Sequence, residues 1–504
     1  MQLSLNVYHV SMTRCAICFV SLAACVAAVS ADPPGFTAVQ PELFSAPHAL
    51  SNAFADVDGD GDLDLAVSFE SGAIRLYRND ADTFVEVGAQ LSLPTAGPQI
   101  RALSWGDFDG DGDPDLHAGV SGDEGLPARS LLFRNDGGTA FVEVSKELGV
   151  IVLEADSRQA NWIDYDNDGD LDLFSAQRSG NNRMFRNDGV KFTDASEELG
   201  LADPRRTVGS CWFDMDRDGD LDVFQANQQA DKDTLYRNDG ATFTDIAPQL
   251  GMHQPERTLS EGGVGCTVGD YDNDGLLDLF IATYGSTLLY RNLGDGKFRE
   301  VAADAGLQQR LHAVGASWGD VDNDGDLDLY VAAYVDGENW YSRAHLFVNR
   351  QGGFVDVLGE DSPLRAADHG VQWADFDRDG DLDLSLTDDF PEDGRHPLFR
   401  NELPEELARR SLQIRVLDRE GRATQAGAEV RLYGTDKKLL GTRLVPTGDG
   451  YGSQSVVPVH FGLARSDVVT VEVTFLTREG RKRKRIEGVD PRQWTGKSFV
   501  VNAD

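Results

Sequence analysis

The chain has 504 residues and a formal net charge of −39, from 46 basic and 85 acidic residues. That excess of negative charge excludes nucleic acid as a partner, because phosphates would be repelled. The length exceeds what one ordinary hydrophobic core organises and calls for several domains or a repeat array.

Arg14 precedes an apolar run over residues 15–29 that ends in small residues. This is the pattern of an export signal over residues 1–31, cut after Val29-Ser30-Ala31. Leu22-Ala23-Ala24-Cys25 also fits a lipoprotein signal, which would leave a lipid anchor on Cys25. The run is shorter than the ~20 residues of a membrane span, and no later stretch is a transmembrane segment. The expectation is a secreted or periplasmic, monomeric protein, with a lipoprotein anchored at Cys25 as the alternative.

Seven copies of D-x-D-x-D-G-x-x-D follow, starting at Asp56, Asp107, Asp164, Asp214, Asp270, Asp320 and Asp375, at spacings of 50 to 57 residues. A fixed period near 50 marks one supersecondary unit repeated in space. In the third unit, short apolar segments are divided by Gly, Asn and Asp, the punctuation of strands and turns. The Asp loop joins the first two strands. A third strand ends in a turn Asn, its copies beginning at Leu76, Leu132, Met184, Leu235, Leu289, Leu346 and Leu398. A fourth, led by Phe84, Phe141, Phe192, Phe243, Phe298 and Phe354, follows in six units only. The missing strand stands at the other end of the chain, in Phe36-Thr37-Ala38-Val39, so it should complete the seventh unit and close a ring without a free sheet edge. The predicted fold is all-β: a seven-bladed β-propeller over residues 32–401. Residues 402–410 read as a linker with one helical turn. Residues 411–504 carry 16 basic against 11 acidic residues and read as a separate, small β-sandwich-like domain.

The alternating aspartates can direct several carboxylates onto one hard cation. Calcium takes six to eight oxygen ligands in flexible geometry, whereas magnesium keeps its waters and zinc favours His or Cys. The candidate ligands are Asp56, Asp58, Asp60, Asp62 and Asp64; Asp107, Asp109, Asp111, Asp113 and Asp115; Asp164, Asp166, Asp168, Asp170 and Asp172; Asp214, Asp216, Asp218, Asp220 and Asp222; Asp270, Asp272, Asp274, Leu276 and Asp278; Asp320, Asp322, Asp324, Asp326 and Asp328; and Asp375, Asp377, Asp379, Asp381 and Asp383. Leu276 stands at position 7 of its loop, so that position should ligate through its backbone carbonyl. Up to seven calcium ions are expected. An EF-hand is excluded, because position 12 is Val67, Ala118, Ser175, Gln225, Ile281, Val331 or Leu386, where a bidentate Glu is needed.

These repeats resemble the FG-GAP/VCBS repeats of integrin-α-type propellers, on the seven Asp loops and phrases such as Leu235-Tyr236-Arg237-Asn238-Asp239-Gly240. The tail resembles the ASPIC/UnbV domain, on Gly427-Ala428-Glu429-Val430, Gly448-Asp449-Gly450-Tyr451-Gly452-Ser453-Gln454-Ser455 and His460-Phe461-Gly462-Leu463. Together they are similar to the cartilage acidic protein family and its bacterial relatives, in which the loops bind calcium. The chain departs from the family in having Thr474-Phe475-Leu476-Thr477 where a Trp-Pro strand is usual, and in lacking a Cys-rich EGF-like module.

The segments leading into the first strands lie opposite the Asp loops. They carry His48, Arg101, Arg158, Arg206, Glu261, His312 and His369, candidates for a ligand-binding ring around the channel mouth. Trp105, Trp162, Trp212, Trp318 and Trp373 each precede an Asp loop by two residues and read as blade core rather than a sugar platform. The basic run Arg481-Lys482-Arg483-Lys484-Arg485 reads as a solvated face, with docking on the acidic propeller or binding of a polyanionic glycan as alternatives. Cys211 and Cys266 precede their loops by three and four residues. This offset points them to opposite strand faces and favours two buried thiols, with a disulfide between adjacent units as the alternative. The expected function is binding or adhesion to an extracellular glycan or protein ligand. The alternative is a propeller-scaffold enzyme, a polysaccharide lyase or cyclase, with its site at the channel mouth.

Overall fold

The computed structural model describes residues 35–504 apart from 123–128, 153–155, 253–255, 334–342, 366–368, 390–393 and 466. The export signal and Cys25 lie outside the described residues. Among those described, no helix is long and apolar enough to cross a membrane.

Each unit is an antiparallel meander. In the third, Ser157–Ile163, Asp172–Gln177, Arg183–Asn187 and Phe192–Asp194 pair in that order. The Asp loop fills the first connection because two strands of a meander need only a short turn, and its Gly takes the left-handed conformation in all seven copies, with φ between 92° and 109°. The seventh unit obtains its outer strand from the N-terminal side, as its missing Phe-led strand predicts. Phe36–Val39 pairs with Leu398–Asn401, Phe36 opposite Asn401. The innermost strands touch in succession from Ala49–Ala55 to Val371–Ala374, which returns to the first. Units five and six also share a ladder, in which Tyr284, Gly285 and Ser286 pair with His312, Leu311 and Arg310.

The tryptophans are core. Trp105, Trp162 and Trp212 are wholly buried. Trp105 Nε1 donates to Ala53 O at 3.3 Å and Trp162 Nε1 to Ser104 O at 3.2 Å, each tying its unit to the preceding one. The facing residue must be small: a Cβ on Gly106 would stand 2.5 Å from Trp162. Four short helices after the fourth strands, such as Ser196–Leu199 with Gly200 in the left-handed C-cap, were signalled by Ser-Glu-Glu-Leu-Gly and not read.

The two cysteines are bonded, which corrects the expectation of free thiols. Cys211 and Cys266 form a disulfide with their Cα atoms 6.1 Å apart. The parity argument assumed two residues side by side in one sheet, but consecutive blades stack face to face. Trp212 packs towards unit three and Cys211, on the other strand face, towards unit five. Cys266 sits on the face of unit five that looks back, so opposite parity is what brings the sulfurs together. The bond closes a loop of 55 residues, for which about 2–4 kcal/mol is expected. Replacing both cysteines by Ala should lower stability by that amount in urea denaturation. An unchanged midpoint would show that the pair contributes nothing.

Residues 411–504 form two packed sheets. One orders Val459–Gly462, Ser411–Leu417 and Phe499–Asn502. The other orders Leu439–Leu444, Glu429–Tyr433, Val469–Phe475 and Lys482–Val489. Leu412, Ile414 and Val416 of the first face Val430, Leu432, Val471 and Val473 of the second. This part is less separate than its composition suggests, because it docks on the propeller and sends a segment into it.

Candidate metal loops and the plugged channel

The loops are built around the ninth residue. One oxygen of Asp64, Asp115, Asp172, Asp222, Asp278, Asp328 and Asp383 accepts the N–H of loop position 2 at 2.9–3.3 Å. The other accepts the N–H of the third strand's turn Asn at 2.7–2.9 Å. That Asn does a second task which the sequence did not reveal. Its side-chain amide donates to the position-2 carbonyl of the preceding unit: Asn135 to Val57, Asn187 to Phe108, and so on around to Asn79, which reaches Phe376 of the seventh unit at 3.0 Å. The seven loops are thereby stitched into one belt. The recurrence of Asn after each third strand was the available signal.

The inner carboxylates converge. Positions 1, 3 and 9 of the first three loops, and 1, 3 and 5 of the fourth, each offer an oxygen within 4.8 Å of the others. Position 5 also orders the turn, its Oδ1 accepting the N–H of position 7; Leu276 donates to Asp274 at 3.0 Å as the aspartates elsewhere do. Position-7 carboxylates turn to neighbours. Asp62 pairs with Arg378 at 2.6 Å, and Asp220 and Asp326 accept from Asn167 and Asn273 at 2.8 Å. At position 1, one oxygen accepts from the loop glycine, as in Asp214 from Gly219 and Asp375 from Gly380, both at 3.1 Å. The other oxygen, Oδ1 of Asp56, Asp214, Asp270 and Asp375, is buried with no hydrogen-bond donor. A buried carboxylate oxygen without a partner costs several kcal/mol unless it is neutralised. The protonation equilibria carry the same message. Burial, reinforced by the neighbouring aspartates, raises Asp107 to about 6, Asp64, Asp164, Asp214 and Asp270 to about 7, and Asp115 to about 9. It also holds Asp172, Asp222, Asp278, Asp320, Asp328, Asp375 and Asp383 well above the ordinary carboxylate range. Oxygen-only donors, crowded and partly orphaned, fit a hard cation.

The basic C-terminal sheets dock on this acidic face. Arg481 joins Asp214 to Glu429, Arg431 donates to Gly275 O at 3.0 Å, Arg443 reaches Gly325 O at 3.3 Å, and Gln413 bonds Asp375. Arg481 thus belongs to the interface, while Lys482, Lys484 and Arg485 pair with Glu479, Asp504 and Glu472 of their own domain. From here the segment Thr447–Val456 enters the axis and returns, turning at Tyr451 with Asp449 paired antiparallel to Ser453. Thr447 Oγ1 donates to Trp212 O at 2.8 Å and Gly450 N to Ala316 O at 3.0 Å. Gly452 O accepts from Leu103 N at 2.8 Å, and Val456 N donates to Phe54 O at 2.9 Å. Ser453–Gln454 adds a parallel strand to Ile100–Gly106. The buried ring of Tyr451 packs among Val208, Val264 and Val314 of units four, five and six.

At the far mouth the seven candidate residues divide. Arg101, Arg158 and His369 converge on Tyr451. Arg101 Nη1 donates to its hydroxyl at 3.3 Å, and His369 meets the ring edge-on with centroids 4.9 Å apart. Burial alone would raise the phenol's pKa, but Arg101, Arg158 and His369 together bring it down to about 8. Arg158 also pairs with Asp156 at 2.6 Å. His312 lies over Tyr284 at 4.5 Å. Arg206 pairs with Asp231 at 2.9 Å and Glu261 with Arg310 at 2.7 Å. His48 stands apart, 3.4 Å from Glu70 and 3.7 Å from Asp389.

The FG-GAP-like repeat family matches residues 56–118, 164–225, 214–281 and 270–331, and the ASPIC and UnbV family matches residues 419–495. The chain carries FG-GAP-like repeats and an ASPIC and UnbV domain. Cartilage acidic protein 1 of Mus musculus is 25% identical over 486 residues, covering 88% of this chain and 74% of that protein; the Homo sapiens protein is 24% identical over 88% and 72%. Among solved structures, an Agrocybe aegerita lectin described as recognising non-reducing terminal N-acetylglucosamine aligns over 63% of this chain and 81% of its own, at 16% identity and TM-score 0.38. BBS1N in complex with ARL6DN aligns over 71% and 94%, at 11% identity and TM-score 0.46. This FG-GAP and ASPIC/UnbV protein thus couples its two family regions through one shared interface, with the ASPIC/UnbV region supplying the plug.

Proposed function

We propose that this FG-GAP and ASPIC/UnbV protein is an exported, calcium-loaded binding module whose ligand face is the channel mouth opposite the Asp loops. The observation that carries the calcium reading is the orphaned position-1 oxygen of Asp56, Asp214, Asp270 and Asp375, buried beside the other carboxylates of its loop. The carboxylates of positions 1, 3 and 9, with position 5 and the position-7 carbonyl, would hold the ion, and the ion supplies the charge that lets them stay ionised together. The docked ASPIC/UnbV sheets cover the loop face, which makes calcium structural and turns the opposite mouth outward. There Arg101, Arg158 and His369 gather around the Tyr451 phenol, with His312 over the neighbouring Tyr284, a set of N–H groups whose chemistry suits a carboxylate. The ligand class is an acidic glycan such as a uronic acid oligosaccharide, or an acidic protein segment.

Titration of uronic acid oligosaccharides in calcium buffer tests this. The double substitution His312→Ala with His369→Ala should weaken binding at least tenfold while leaving the calcium-dependent melting temperature nearly intact. Binding that survives the pair of changes places the site elsewhere, with the basic strand Lys482–Val489 the next to examine.

A further inference from the structure

His48, Glu70 and Asp389 are brought together from three segments of units one and seven. Glu70 N donates to His48 O at 3.0 Å, so the hairpin of the first unit fixes those two residues side by side. His48 holds a left-handed backbone, φ 62°, uncommon for a residue other than glycine. Its Nδ1 stands 3.4 Å from Glu70 Oε2 and 3.7 Å from Asp389 Oδ1, is shielded from solvent, and makes no hydrogen bond. A simple N–H to carboxylate pair closes to about 2.7–2.9 Å. Around a tetrahedral metal with bonds of about 2.0–2.1 Å, neighbouring ligand atoms stand about 3.4 Å apart. Both separations exceed a simple pair; the one to Glu70 equals the metal spacing, the one to Asp389 is 0.3 Å longer, and all three ligand atoms lie within 4.8 Å of one another.

The surroundings orient the donors as metal sites require. Gln99 Nε2 donates to Glu70 Oε1 at 2.9 Å and Arg101 Nε donates to Gln99 Oε1, which leaves Oε2 turned to the imidazole. Arg101, close by, is held to one side by Gln99 and Tyr451. We propose that His48, Glu70 and Asp389 form a divalent transition-metal site at the channel mouth, with zinc its probe. An imidazole nitrogen with two carboxylates suits zinc and its neighbours rather than calcium, so this site differs in chemistry from the seven Asp loops. Three protein ligands would leave a fourth position of a tetrahedral ion to water or a ligand. The proposal goes beyond the ligand-binding reading and does not depend on it.

The test is zinc titration of the full-length protein by equilibrium dialysis in millimolar calcium, which keeps the Asp loops occupied. The wild type should bind one equivalent more than each of His48→Ala, Glu70→Gln and Asp389→Asn. Glu70→Gln keeps shape and hydrogen bonding while removing the charge. Zinc-edge X-ray absorption of the wild type should show a nitrogen and oxygen shell with imidazole scattering that His48→Ala loses. Equal stoichiometry in wild type and all three variants, each with the wild-type calcium-dependent melting temperature, overturns the site, as does a wild type that binds no zinc.

Discussion

Removal of divalent cations by chelation should lower the melting temperature by ~10 °C or more, with recovery on adding calcium and little on adding magnesium. A site held at 100 times its Kd contributes about 2.7 kcal/mol. A few such loops rival the whole stability of an ordinary domain, about 5–15 kcal/mol. The effect should also depend on pH in a definite sense. In the cation-free protein the folded pKa values of Asp64, Asp164, Asp214 and Asp270 stand near 7 and that of Asp115 near 9, all above the ordinary carboxylate value, because burial disfavours the charged form. The folded state therefore holds more protons than the unfolded state between about pH 4 and pH 9. Cation-free stability is fully present below the unfolded carboxylate range and falls as pH rises through these folded values. Calcium reverses the trend by replacing those protons, so the gain in melting temperature on adding calcium should grow from pH 5 to pH 8. Calorimetric titration near pH 6.5 should register proton release on calcium binding. A gain that shrinks over that range would contradict the assignment of the carboxylates as ligands.

Substitution of Gly452 by Val should expel the plug and cost ~3 kcal/mol or more. Gly452 has φ 60°, and a Cβ there would lie 2.4 Å from Arg101 O and 2.6 Å from Arg158 O. Both are backbone atoms of inner strands, so neither can move aside without breaking a blade. Expulsion also removes the bond from Leu103 N to Gly452 O and exposes the apolar lining of Val208, Val264 and Val314 that Tyr451 covers. The expected signature is a lower urea midpoint together with protease cleavage within residues 446–458, which are shielded in the native protein. A Gly452→Val protein with native stability and native protection would show that the plug is incidental to the fold. Tyr451→Phe should be milder, since it keeps the ring and loses only the hydroxyl that Arg101 meets.

The sequence carried the periodic part of this fold and left the aperiodic part hidden. The Asp loops, the Trp positions and the split seventh unit each repeat or complete a pattern, so their places could be read from spacing; Phe36 opposite Asn401 is the clearest case. The belt of turn Asn side chains was visible as a recurring residue, but its partner lies in the previous unit, some 80 residues away, as Asn401 reaching Val321 O illustrates. The disulfide was misjudged because stacked blades present opposite faces to one another, a fact of tertiary arrangement that strand parity does not contain. The run from Gly448 to Ser455 carries the resemblance to the ASPIC/UnbV domain, yet nothing local says that its host is the propeller axis. At the mouth, spacing placed His48, Arg101 and His369 in equivalent segments. It did not distinguish residues that meet Tyr451 from one that faces Glu70 and Asp389, because those partners come from elsewhere in the chain.

The central claim is that the Asp loops are calcium sites holding the belt and its docked domain in place. Diffraction from crystals grown in calcium, collected at a wavelength where calcium scatters anomalously, tests it most directly. Anomalous peaks should lie inside the loops, each between the carboxylates of positions 1, 3 and 9, with the position-7 carbonyl turned towards the ion and Leu276 no exception. Loops without anomalous density, their position-1 oxygens still buried and bonded to neither metal nor donor, would contradict it.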